Sequence, residues 1–229
     1  MVESVEEAKE NLKSERSLDL QEYLRNLKIL QNGLRLVSTR YDPFFLSFSN
    51  LKLKYSHRSS RDILSAVSDP HNFFLQFYED IVSHIVRKNP SVCGISITGV
   101  NQIIPGLTLA HCIKRADPSI FTVLGGSIVT RWMGCPGLEK ILDICDSIVF
   151  KEGEEAVAAL ATEPIEKVPS IGYKRNGRII FNSTRSVSNL DGLPPPSFDD
   201  LDLGMYLSPS PVLPVYASRA CYWGRCAFC

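Results

Sequence analysis

Along the first ninety positions, apolar residues return at helical intervals. Leu20, Leu24, Leu27 and Leu30 share one helical face, and Gly33 is the expected stop. Asp69-Pro70 reads as an N-cap followed by proline at the first helical position. Behind it Phe74, Phe77, Ile81 and Ile85 form an apolar stripe ending at Asn89-Pro90, a pattern that predicts core packing. The stretch between the two, RLVSTRYDPFFLSFSNLKLKYS, is aromatic and irregular and shows no period. Residues 1–90 are therefore expected to be a mainly helical region.

From Ser91 the pattern changes to strand–helix alternation. SVCGISIT is a short apolar run rich in β-branched residues, suited to a strand buried on both faces. IPGLTLAHCIKRAD places Leu107, Ala110 and Ile113 on one side of a helix. IFTVLGG is a second strand ending in two glycines, and GLEKILDICD a second helix. SIVFKEGEEAVAAL supplies a third strand, a turn and a third helix. Alternation at this spacing predicts a parallel sheet with helices on both faces over 91–165, with nearly buried strands at 92–98, 120–124 and 147–150. GYKR and RIIF follow, joined by Asn176-Gly177. Both positions of such a turn need positive φ, so 166–186 is predicted to form a hairpin. Six prolines between 187 and 214 mark a linker or extended strap. VLPVYASR then reads as a strand leading into CYWGRCAFC, so 215–229 is taken as the start of a further domain.

Charge narrows the function classes. Lys plus Arg equals Asp plus Glu, 25 against 25, so no bulk field favours nucleic acid or an anionic membrane. No apolar run approaches the roughly 20 residues of a membrane span. The N-terminus has no apolar signal region. Seven cysteines without a signal predict a reducing, cytoplasmic setting.

Three of those cysteines, Cys221, Cys226 and Cys229, fall in the last nine residues. Three thiolates this close can converge on one soft metal centre and leave one metal position open. Spacing alone leaves open a zinc knuckle completed from elsewhere, or a cluster used only for electron transfer. A second constellation lies at the predicted carboxyl ends of the strands, where open parallel sheets bind ligands. Its loops carry Thr98, Gly99, Asn101, Gln102, Pro105 and Gly106, then Gly125, Gly126, Ser127 and Thr130, then Glu152, Gly153 and Glu154. Glycines there let backbone approach a ligand closely. A bulky residue at Gly126 is expected to block that approach.

Together, SITGVNQIIPGLTLAHCIKRADPSIFTVLGGSIVT, SIVFKEGEEAV and SPSPVLPVYASRACYWGRCAFC resemble cobalamin-dependent radical S-adenosylmethionine enzymes over roughly residues 60–229. Ser218-Arg219 before the first cysteine and Phe228 before the third match that family's cysteine loop. The spacing departs from its commonest form by one extra residue, within Tyr222-Trp223-Gly224-Arg225.

The resemblance implies an α/β fold. Its parts would be a Rossmann-like parallel sheet of cobalamin-binding type, an N-terminal helical region, and a C-terminal proline-rich strap leading into a truncated radical-enzyme barrel. It implies a 4Fe–4S cluster on Cys221, Cys226 and Cys229, with S-adenosylmethionine on the open iron beside Phe228. Cobalamin would lie at Thr98, Asn101, Gln102, Pro105, Gly106, Gly125, Gly126, Ser127, Thr130, Glu152 and Gly153. It further implies methyl transfer to an unactivated carbon of a small molecule or peptide, and an electron donor such as a flavodoxin or ferredoxin. No Asp-x-His-x-x-Gly motif is present, so cobalamin is expected without a protein histidine on cobalt. His111 is expected to be a packing or surface residue. Cys93, Cys112, Cys135 and Cys145 are expected to be small buried apolar residues. Two other functions remain open: a non-catalytic cobalamin-binding module, and an α/β domain with a structural zinc site.

Overall fold

The computed structural model describes residues 2–185, 187, 189–215, 219, 221 and 223–227. The chain divides into two compact units. One comprises Met1–Gly33 with Ser197–Cys229, the other Leu34–Pro196.

In the first unit, α1 (Val2–Lys13) and the start of α2 (Leu20–Ser38) bury Ala8, Leu12 and Leu30, with Val5 and Leu27 packed against them. Gly33 does not stop α2, which continues to Ser38. A Cβ at Gly33 would lie 3.3 Å from the Val5 side chain, so the glycine admits a close neighbour within the helix. Residues 211–215 of this unit have no regular structure, so no strand forms at Val212–Val215; the proline-rich stretch 193–196, which belongs to the second unit, is irregular too.

The second unit opens with the aromatic stretch that showed no period. It forms a small hairpin of β1 (Phe45–Leu46) and β2 (Leu51–Lys52), with Phe44 buried beside it. Helix α3 (Ser60–Val67) follows, with the Ser59 side chain accepting from Asp62 N at its start. Asp69 is not a helix N-cap. Its carboxylate accepts from His71 N and from the Tyr55 hydroxyl, while Asn72 caps the next helix by accepting from Phe74 N.

The predicted long apolar stripe is two helices, α4 (Phe73–Phe77) and α5 (Glu79–Lys88), which break at Tyr78. The break rotates the faces. Phe77 and Ile81 are exposed, and Val82, Ile85 and Val86 pack inward instead. Asn89 closes α5 in the left-handed conformation at φ 46°.

The main sheet has strand order β3-β4-β5-β6-β7. β3 (Val92–Ser96), β4 (Phe121–Gly125) and β5 (Ser147–Val149) run parallel, with Val92 opposite Phe121, Ser96 opposite Gly125, and Val123 opposite Ser147. β6 (Ile171–Arg175) and β7 (Arg178–Phe181) then continue antiparallel from β5. The sheet is therefore mixed, not parallel throughout. The hairpin lies on the β5 edge instead of standing apart. Its turn has φ 51° at Asn176 and 75° at Gly177, as an Asn-Gly turn between twisted strands requires.

Alternation along β4 and β5 separates two cores. Leu124 and Ile148 face α6 (Ile103–Ala116), α3, α7 (Ser127–Thr130) and α8 (Leu138–Ile141). Val123, Val149, Ile171 and Tyr173 face α9 (Glu154–Leu160) through Ala156. Helices thus cover both faces, unequally. β4 and β5 are largely buried, but β3 is not. It is an edge strand, and Gly94 and Ser96 on its second face are exposed. Cys93 is accordingly only half-buried. The second predicted helix is also shorter than its sequence suggested. Only Leu138–Ile141 is helical before the chain turns into β5.

At the opposite end of the strands, Lys114 Nζ donates to the carbonyls of Pro118 (2.7 Å) and Ile120 (3.1 Å) and pairs with Asp146 at 2.9 Å. Asp146 also accepts from Thr122 N and Thr122 Oγ1. This network ties α6, β4 and the start of β5 together. It fixes the distance between the two strands whose other ends carry the candidate site.

Candidate functional site

Three loops leave the carboxyl ends of β3, β4 and β5, and their polar side chains are mostly spent on one another. Gln102 Oε1 accepts from Thr98 N (2.9 Å), Thr98 Oγ1 (3.0 Å) and Gly99 N (2.9 Å), which folds the first loop back onto the start of α6. Ser127 Oγ donates to Thr98 O at 3.0 Å and so joins the second loop to the first. Thr130 Oγ1 donates to Gly126 O (3.3 Å) and accepts from Lys151 N (2.8 Å), which joins the second loop to the third. Asn101 Nδ2 donates to Ser49 O at 3.1 Å, in the β1–β2 hairpin. The structure thus joins Thr98, Gln102, Ser127 and Thr130 in a braced rim, while Asn101 reaches out to the hairpin.

Glu152 points elsewhere, with Oε2 accepting from Val187 N at 2.7 Å. Gly153 begins the short α9, and a side chain there would meet Val149 at ordinary contact distance. Pro105 is half-buried in the first turn of α6.

The glycines divide into two kinds. At Gly106 an added Cβ would fall 2.9 Å from the Ile97 side chain, so this glycine lets α6 pack close to the sheet. At Gly126 φ is 102°, and an added Cβ would fall 2.4 Å from Ile97 O. The expectation that Gly126 is open for ligand approach is thus corrected: the space beside it is filled by the chain's own backbone. Gly125 is the open position, with nothing within 4 Å of an added Cβ.

Beside this rim lies a cleft of about 420 Å³ whose apolar side includes Ile63, Ile103, Ile128 and Ile141. Arg58, Arg131, His57 and Trp132 also line it, and among the described residues no carboxylate does. Sequence reading missed these four. Arg131-Trp132 stands just beyond Thr130, so extending the strand-end rule by one helical turn would have reached it. Nothing in the sequence pattern marked His57-Arg58. A second cleft of about 340 Å³ lies on the other side of Val100, between Asn101 and β2, and His57 lines both.

Of the cysteine segment, Cys221 and Cys226 are exposed. Cys229, Phe228 and Ser218 lie outside the described residues. Backbone N–H groups of Gly224 and Trp223 hold the Cys221 thiol below its ordinary pKa, so this turn favours a thiolate. Gly224 has φ 58°, the left-handed conformation of a tight turn. Among the described residues no group of three or more His, Cys, Asp or Glu could hold a metal ion.

The remaining cysteines differ from one another. Cys145 is buried, and desolvation, with the charge of Asp146 second, pushes its thiol up to about 12. Cys112 is half-buried on α6, with its thiol raised by burial. Cys135 is exposed, against expectation, because α8 begins only after it; its Sγ donates to Arg131 O. His111 is half-buried on α6 and away from the rim. Burial, and then Arg115, hold its pKa low. Iodoacetamide at neutral pH is accordingly expected to label Cys135, Cys221 and Cys226 in the folded chain, and Cys145 only after unfolding, as read by mass spectrometry of digested protein. Equal labelling of Cys145 in the folded chain would contradict its burial.

Among the described residues no helix is long and apolar enough to cross a membrane. Fold and site together define an α/β protein with a braced rim and a cleft at the carboxyl ends of parallel strands. No family model matches the chain. It is similar to an uncharacterized methyltransferase of Pyrococcus horikoshii, 25% identical over an alignment of 202 residues, which covers 85% of this chain and 42% of that protein. The chain thus spans less than half the length of this curated relative.

Proposed function

We propose that this chain belongs to a methyl-transferring enzyme in which the α/β unit holds a corrinoid at the carboxyl ends of β3, β4 and β5. The cysteine segment then holds a 4Fe–4S cluster that binds S-adenosylmethionine. The observation that carries the reading is Gly125. It opens to free space at a strand end, between loops that brace one another through Ser127–Thr98 and Thr130–Lys151. A rigid rim with bare backbone at its centre suits a large, flat ligand, because no side chain has to move aside. The cleft of about 420 Å³ is too small to enclose a corrinoid, so the strand-end rim would have to supply most of its seat.

No histidine lies on the three loops, which suits cobalamin held without a protein ligand on cobalt. The backbone N–H groups that lower the Cys221 thiol pKa suit a thiolate ligand. Methyl transfer is supported by the name of the relative described above. When bound, the corrinoid supplies a transferable methyl group, and the cluster supplies the electron that cleaves S-adenosylmethionine. The protein's own part is to hold the corrinoid face at the strand ends and to present thiolates at the cysteine turn.

The test is gel filtration of the chain with hydroxocobalamin. Corrinoid absorbance should travel with wild-type protein and be lost from Gly125→Trp, while the melting midpoint stays within a few degrees. A folded wild-type chain that carries no corrinoid, or a Gly125→Trp chain that binds it as well as wild type, would overturn the reading.

A further inference from the structure

We infer that the cleft between the start of α3 and the segment 128–141 binds a phosphate-bearing planar ligand of nucleotide size, gripped by Arg58 and Arg131. The inference stands on the charge and shape of this cleft and does not depend on corrinoid binding at the rim.

The chain has no net charge, yet the cleft wall carries two guanidinium groups and the His57 imidazole and, among the described residues, no Asp or Glu. Neither guanidinium has a hydrogen-bond or ion-pair partner among the described residues. Two exposed, unpaired cations on one wall match a dianion better than a single carboxylate. The planar guanidinium fork fits the oxygens of a phosphate in two-point contact.

The rest of the wall is apolar. Ile63, Ile103, Ile128 and Ile141 are buried side chains of the main core, and Trp132 packs partly against it. An indole beside an isoleucine floor is a surface for a planar ring. The volume of about 420 Å³ lies in the range of small-ligand sites. Phosphate at the arginines with a base against Trp132 and the isoleucines uses both halves of the wall.

The experiment reads Trp132 fluorescence in the 229-residue chain carrying Trp223→Phe, which leaves Trp132 as its one tryptophan. Adenosine 5′-monophosphate should change the emission saturably and bind about tenfold or more tighter than adenosine. Inorganic phosphate should compete. Arg131→Ala and Arg58→Ala should each weaken the nucleotide by about tenfold or more and leave adenosine unchanged. Equal affinity for the nucleotide and adenosine, or unchanged nucleotide binding in both arginine variants, would overturn the inference. The first comparison needs no arginine variant, so a variant that fails to fold does not remove the test.

The nucleotide arm of a corrinoid carries the same chemistry as a free nucleotide. Displacement by cobalamin but not by cobinamide, which lacks that arm, would support the cleft as its seat. Displacement by neither would support a free nucleotide. If the corrinoid fails to bind at the rim while the nucleotide still binds here, the reading of the rim falls and this one stands.

Discussion

Replacing Gly126 with leucine is expected to destroy cooperative folding of the α/β unit. With φ 102° and ψ 170°, Gly126 occupies a region essentially closed to residues with a side chain, at a cost of about 1–3 kcal/mol. The new Cβ would also stand 2.4 Å from Ile97 O and 2.7 Å from Ile97 C, both backbone atoms. Ile97 cannot give way cheaply. It is fully buried, its N–H donates to Gly125 O at 2.7 Å, and its carbonyl accepts from Ile128 N at 3.2 Å. Moving it breaks the link between β3 and the second loop and adds a few kcal/mol of overpacking. The sum is comparable to the whole stability of a typical domain. Gly125→Ala, one residue earlier, should change stability by less than about 1 kcal/mol. Chemical denaturation followed by circular dichroism distinguishes the two. A stable, cooperatively folding Gly126→Leu chain would contradict the backbone path at this strand end. Loss of a ligand from that variant would say nothing about binding, which is why Gly125 is the informative position.

Under the proposed function, the second large effect belongs to the cysteines. Replacing any one of Cys221, Cys226 or Cys229 with alanine is expected to abolish iron–sulfur absorbance after anaerobic reconstitution, because a three-thiolate site has no spare ligand. Cys145→Ala should leave the cluster intact. Its thiol is buried in the α/β core and stays protonated far above neutral pH, so it is no ligand. Cys135→Ala should also leave the cluster intact, because the three thiolates already supply every protein ligand that such a site takes. Retention of a full cluster in Cys221→Ala would remove the three-cysteine site. Loss of it in Cys145→Ala would make the site a four-cysteine one, with no iron open to S-adenosylmethionine.

Much of the sheet was legible because its signals are local. A β-branched run buried on both faces, as β4 and β5 are, can be read residue by residue, and so can Asn176-Gly177 with its pair of positive φ angles. The burial of β3 was not legible. Whether an apolar strand is central or at an edge depends on its neighbours, and among the described residues none pairs with its outer side. The β1–β2 hairpin escaped because two-residue strands have no period. The break at Tyr78 escaped because Phe74, Phe77, Ile81 and Ile85 keep helical spacing straight through it. At the site, the loops were found through the strand-end rule, but the roles of their glycines were not. Gly125 and Gly126 look alike in sequence and differ only in what stands opposite them. The cleft was missed because Arg58 and Arg131 are 73 positions apart and come to one cleft only through the tertiary fold.

Metal analysis of the protein, purified anaerobically from cells supplied with cobalamin and iron, bears most directly on the proposed corrinoid and cluster. The account expects about one cobalt and about four iron with matching acid-labile sulfide per chain. Zinc alone, bound at the cysteines with neither cobalt nor iron present, would contradict it.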